Sequence, residues 1–96
     1  MKASELLEQT NLKFGKADFY NAKTDSYCAL GVLMKSVGWK PKEWPDLSYK
    51  EVVEYMVKAE VEYHMTQEQG WNMAMYNNTK ASNFKEVSEW LKARGL

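Results

Sequence analysis

The sequence predicts an all-α fold, a single compact domain of four or five helices over residues 1–96. Strand signals are nearly missing: no hairpin dipeptide lies between alternating segments, and no cluster of β-branched residues occurs. Helix-start signals are frequent. Ser48-Tyr49-Lys50-Glu51, Thr66-Gln67-Glu68-Gln69 and Asn83-Phe84-Lys85-Glu86 each read as a capping box. Apolar residues follow these starts at spacings of three and four, as an amphipathic helix requires.

Ser4 is placed to cap the first helix, which carries Leu6, Leu7 and Leu12. Its acidic first turn, with Glu5 and Glu8, suits the helix dipole. Gly15 ends this helix or closely follows its end. Residues 15–24 read as a loop from which Phe19 and Tyr20 fold back onto the core. Asp25 or Ser26 caps the second helix, which runs to about Val37 with Leu30, Leu33, Met34 and Val37 on one face, and Gly38 closes it. Cys28 and Gly31 lie beside that face. Glycine inside a helix costs roughly 1 kcal/mol against alanine, so Gly31 marks either a packing centre or the floor of a site. The preferred reading is a close crossing where another helix, with the last one as candidate, approaches Gly31.

The linker from Gly38 to Leu47 holds both prolines, Pro41 and Pro45, each of which disfavours helix in the residue before it. Ser48 opens the third helix, whose buried stripe is Val52, Met56, Ala59 and Tyr63, widened by Val53 and Val57. Glu54 and Lys58 pair on its exposed side. The Thr66 box predicts a break or kink near His64 and Met65, in preference to a helix continuing through Gly70 to Tyr76. Asn77 to Ser82 is a polar turn. Asn83 opens the last helix, which buries Phe84, Val87, Trp90 and Leu91 and stops at Gly95.

Thirteen acidic residues balance thirteen basic ones, and Arg94 is the single arginine. A neutral chain poor in arginine offers neither the field nor the bidentate donors that gather nucleic acid, so nucleic-acid partners are not expected. The lone cysteine, Cys28, fits a reducing cytoplasm, or a fold with no need of a disulfide. The first residues contain no apolar run of signal-peptide length, and the longest apolar stretch is far short of a membrane span, so no membrane partner is expected.

Cys28 would sit in the opening turn of its helix, where the dipole can lower a thiol pKa. A catalytic thiol also needs a base, and the only histidine, His64, belongs to another helix. Burial as a small apolar residue is therefore the preferred role for Cys28, and no catalytic residue is assigned. One Cys and one His cannot supply a usual zinc set, so neither metal nor cofactor is expected. Glu60 and His64, four apart, are placed to pair. The segment from Trp71 to Leu91 has two helices around a turn, but its second helix sets Lys85, Lys92 and Arg94 against Glu86 and Glu89, too neutral a face for DNA recognition.

Aromatic residues carry more weight. Trp39, Trp44 and Tyr49 cluster in and after the stiff linker, and Trp71 and Tyr76 come from the other half. Trp and Tyr dominate interface hot spots, which makes these five residues interface candidates. Asn77, Asn78 and Lys80 add polar contacts next to them, and would serve the alternative of a small-ligand or nucleotide binder.

Two motifs carry a resemblance. The first is Tyr27-Cys28-Ala29-Leu30-Gly31-Val32-Leu33. The second is Met73-x-x-Tyr76-Asn77-Asn78, followed by Asn83-Phe84-x-x-Val87-x-x-Trp90-Leu91. Together they resemble a family of small uncharacterised proteins of bacteria and their phages, the domain of unknown function 6197. The likeness covers roughly the middle and end of the chain, and departs from the pattern at Asn78, where the family usually shows Asp. Asn78 could not act as a carboxylate ligand or base. The resemblance implies a helical fold and a phage origin, and no activity. The resulting expectation is a non-enzymatic accessory or anti-defence protein that binds a host protein in the host cytoplasm.

Overall fold

The computed structural model describes all residues, Met1–Leu96. Five helices, α1 (Ala3–Gln9), α2 (Ala29–Ser36), α3 (Tyr49–Tyr63), α4 (Gln67–Thr79) and α5 (Phe84–Lys92), make up most of the chain. Between α1 and α2 run three two-residue strands, β1 (Lys13–Phe14), β2 (Tyr20–Asn21) and β3 (Ser26–Tyr27). The fold is helix-rich but not all-α, and this small sheet is the correction. Strands of two residues are shorter than any window in which an alternating pattern registers.

The sheet has the order β1-β3-β2. β1 runs parallel to β3, with Lys13 opposite Ser26 and Phe14 opposite Tyr27. β2 runs antiparallel to β3, with Tyr20 opposite Tyr27 and their rings 4.9 Å apart. Asn21 shapes the turn between them: its Oδ1 accepts the backbone N–H of Lys23 at 3.0 Å and of Thr24 at 3.4 Å. Phe19 and Tyr20 do fold back, both half-buried against the core.

Helix starts follow local chemistry in the C-terminal half. Ser48 Oγ accepts the Glu51 N–H at 3.1 Å. Thr66 and Gln69 exchange both bonds of a capping box, at 3.1 and 2.8 Å. Asn83 Oδ1 accepts the Glu86 N–H at 2.9 Å, while the Glu86 carboxylate reaches back to Ser82 N rather than to Asn83. The break expected near His64 is present: His64 ends α3 in the left-handed region, φ 54°.

The first two helices begin elsewhere than expected. α1 starts at Ala3, and the Glu5 carboxylate accepts the Lys2 N–H at 2.9 Å. Ser4 lies inside that helix, buried, with its carbonyl accepting the Ser88 hydroxyl at 2.9 Å. α1 ends at Gln9, well before Gly15. Neither Asp25 nor Ser26 caps α2; β3 takes Ser26 and Tyr27, and Cys28 is the cap.

One hydrophobic cluster draws on all five helices, β3 and the linker. α2 lies at its centre, packed against α1, α3, α4 and β3, while α5 lies on α1 and α4. Gly31 serves a close approach, but to the loop and not to the last helix. A Cβ there would lie 2.0 Å from the Phe19 carbonyl oxygen. Trp90 is only half-buried, unlike Phe84, Val87 and Leu91 beside it. No helix is long and apolar enough to cross a membrane.

Candidate functional site

The buried stripe of α3 is the expected one, Val52, Met56, Ala59 and Tyr63. Beside it runs a second apolar row, Tyr49, Val53, Val57 and Val61, all exposed; Tyr49 is 77% and Val57 50% accessible. The expectation that Val53 and Val57 widen the buried stripe is therefore corrected: they border it from outside. α4 adds Trp71, 44% accessible, and Met75 one turn further on. Between the two helices lies a cavity of about 310 Å³. Tyr49, Val53 and Val57 form one wall, and Gln67 and Trp71 the other. Val52, Met56 and Glu60 complete the lining.

Glu60 is the only ionisable carboxylate in that lining. Burial against its apolar neighbours pushes its carboxyl above the ordinary value. The ion pairs of the protein are Lys42–Glu51, Lys58–Glu54 and Lys92–Glu8, and none involves Glu60. The expected pairing with His64 is not made, because His64 leaves helical geometry at the end of α3.

A second cleft lies where the linker meets the loop before β2. Lys42, Glu43, Trp44 and Leu47 face residues 17–20 across about 240 Å³. The Glu43 carboxylate accepts the Ala22 N–H, and Lys42 pairs with Glu51 at 3.0 Å. Trp44 is exposed at its rim. Trp39, five residues earlier, is only 2% accessible and packs edge-on to Phe19 at 6.5 Å. Burial takes Trp39 off the surface, so its part is to anchor the linker.

The expected polar contacts beside Tyr76 have a structural role. Asn77 is fully buried. Its Oδ1 accepts the Ala29 N–H at 3.0 Å, and its Nδ2 donates to Gly15 O at 3.0 Å and to Asn78 Oδ1 at 2.9 Å. Asn78 Oδ1 also accepts the Ala17 N–H at 2.8 Å. The pair thus ties the loop after β1 to the start of α2, and Asn77 offers nothing to a ligand. Tyr76 stacks on Trp90 at 5.4 Å, and the Arg94 guanidinium lies 3.7 Å from the Trp90 ring centre. Lys80 is exposed on the same shallow face.

Cys28 Sγ accepts the Gly31 N–H at 3.4 Å, one of the open donors at the start of α2. Burial pushes the thiol up to about 11, so it stays protonated at neutral pH. Cys28 is buried, as its preferred role requires, and desolvation outweighs the amide hydrogen bonds by which a helix start can lower a thiol pKa. No group of three or more His, Cys, Asp or Glu side chains is placed to hold a metal.

Of the expected surface residues, Tyr49 and Trp71 meet in the groove, Trp44 lines the linker cleft, and Tyr76 and Lys80 share the third face. Val53, Val57, Glu60 and Gln67 complete the groove and were not anticipated. For Val53 and Val57 the signal was an apolar arc on α3 too wide for one buried face; Glu60 and Gln67 carried none. Comparison with protein-family models, curated proteins and solved structures returned no match.

Proposed function

We propose that this is a non-enzymatic binding protein whose α3–α4 groove engages a partner protein. That partner is a host protein, and the chain an accessory or anti-defence factor, if the phage origin implied by the resemblance holds. The observation that carries the reading is the exposed row on α3 facing Trp71. Valine lowers helix propensity by up to about 0.7 kcal/mol against alanine. Val53, Val57 and Val61 stay 41%, 50% and 71% accessible, so burial within the fold offsets this only in part. Tyr49 and Trp71 are of the residue types that anchor interfaces, and they stand in one groove.

Affinity capture from host extract followed by mass spectrometry tests this. The expected result is one stoichiometric protein, reduced more than about 30-fold by Trp71→Ala, as for a hot spot of about 2 kcal/mol. Capture that survives both Trp71→Ala and Val57→Glu would count against the groove.

A second reading has its own observation, the linker cleft with Trp44 at its rim and charged side chains within it. A small polar ligand with a planar face fits that lining. Thermal-shift screening against nucleotides tests it, with a ligand-dependent rise in melting temperature that Trp44→Ala removes.

A further inference from the structure

Glu60 stands in an apolar groove with no cation from its own chain. Its Oε1 lies 3.9 Å from where a Cβ on Gly70 of α4 would be, and that is the nearest neighbour such a Cβ would meet. Gly70 is therefore not demanded by packing within the fold, although glycine weakens a helix interior. Gly70 itself is buried, so it sets how closely α4 comes to the Glu60 carboxylate without adding a side chain to the groove.

We propose that the groove's occupant is an amphipathic α-helix of a partner protein. It sets apolar side chains between Val57 and Trp71 and one Lys or Arg against Glu60. The inference rests on the partner-binding reading and goes further by naming the occupant's chemistry. Three arguments select it.

The groove is walled by side chains of two helices whose backbone groups already bond within those helices. An extended peptide would find few main-chain partners there, whereas a helix arrives with its own backbone bonds made. Seven of the eight lining residues carry no ionisable acid or base at neutral pH, so the lining suits an apolar stripe. The eighth, Glu60, is satisfied by an ammonium or guanidinium group.

A second copy of this chain fits less well. A two-fold contact centred on the groove presents the same patch to itself, which brings two Glu60 carboxylates together. No Lys or Arg in the lining would separate them.

A displayed library of helical peptides, selected on the wild-type protein alone, tests the inference. Selected sequences should share apolar residues three and four apart and a Lys or Arg in fixed register. Synthetic peptides from that set should bind Glu60→Gln about tenfold more weakly. Replacing their basic residue with norleucine should cost about the same, and should make affinity insensitive to Glu60→Gln.

Binders lacking a basic residue, or indifferent to Glu60→Gln, would overturn the inference. If they still lose affinity with Val57→Glu, the partner-binding reading stands without it. Binders indifferent to both changes would remove both. A sedimentation experiment that finds a dimer disrupted by Trp71→Ala would assign the groove to a second copy and overturn the helical partner.

Discussion

At the residue scale, Gly31, Cys28 and Asn77 fix one junction. Gly31 admits the Phe19 carbonyl, Cys28 caps α2 through its sulfur, and Asn77 bonds Ala29 and Gly15 at once. Gly31→Ala should cost about 1–3 kcal/mol by overpacking, read from urea unfolding, because its Cβ meets backbone rather than a flexible side chain. Asn77→Ala should cost about 1–3 kcal/mol for each buried group left unpaired. Asn77→Asp should be no better, since it keeps the acceptor for Ala29 but turns an oxygen toward Gly15 O. Cys28→Ala should lower stability by about 0.5–2 kcal/mol through loss of the cap and leave partner capture unchanged. The native thiol should resist labelling until the protein unfolds. The Cys-Ala-Leu-Gly run was legible in the sequence as a packing centre. Its neighbour was not, because Phe19 reaches Gly31 through a loop that carries no periodic signal.

At the element scale, α3 and α4 separate stability from binding. The inner stripe of α3 holds the fold together, and the outer row lines the groove. Val57→Lys should change stability by no more than about 0.5 kcal/mol while abolishing capture, measured by thermal unfolding and pull-down on one preparation. Glu60→Gln should behave similarly for stability and reveal the sign of the Glu60 titration. A carboxyl whose pKa is raised on folding destabilises the fold when ionised. That penalty is present at neutral pH and fades as pH falls through the folded value. The other polar groups of the lining, the Gln67 amide, the Tyr49 hydroxyl and the Trp71 indole N–H, are uncharged at neutral pH, and no cation from α3 or α4 pairs with Glu60 to offset this. Glu60→Gln should therefore raise the melting temperature at pH 7 and lose that advantage toward pH 4. The caps at Ser48, Thr66 and Asn83 and the break at His64 were legible because each is decided within about four residues. Ser4 misled for a related reason: the same hydroxylated residue that can cap a helix also lets two helices approach closely.

At the scale of the whole molecule, the two terminal helices close the fold on each other. Ser88 Oγ donates to Ser4 O, and Lys92 pairs with Glu8, each joining residues 84 apart in sequence. Ala3, Ser4 and Ser88 are buried at this contact. Removing residues 1–9 should expose Val87 and Leu91 and abolish cooperative unfolding, with ANS binding rising as the near-ultraviolet circular dichroism is lost. The sheet lies within one short stretch, with Tyr20 opposite Tyr27 and Phe14 opposite Tyr27, and it went unread because each strand has only two residues, too few to show alternation.

By itself the sequence determined the helical character, three of the helix starts, the break between α3 and α4, and the buried stripe of α3. These are set by neighbours along the chain. Tertiary structure alone decided which aromatic residues reach the surface: Trp39 is buried against Phe19, Trp44 is left at a cleft, and Tyr49 is joined to Trp71 across a groove. It also turned Asn77 from a candidate contact into a buried tie. The physical reason is that burial depends on what packs against a residue from elsewhere in the chain, which spacing within one segment does not encode.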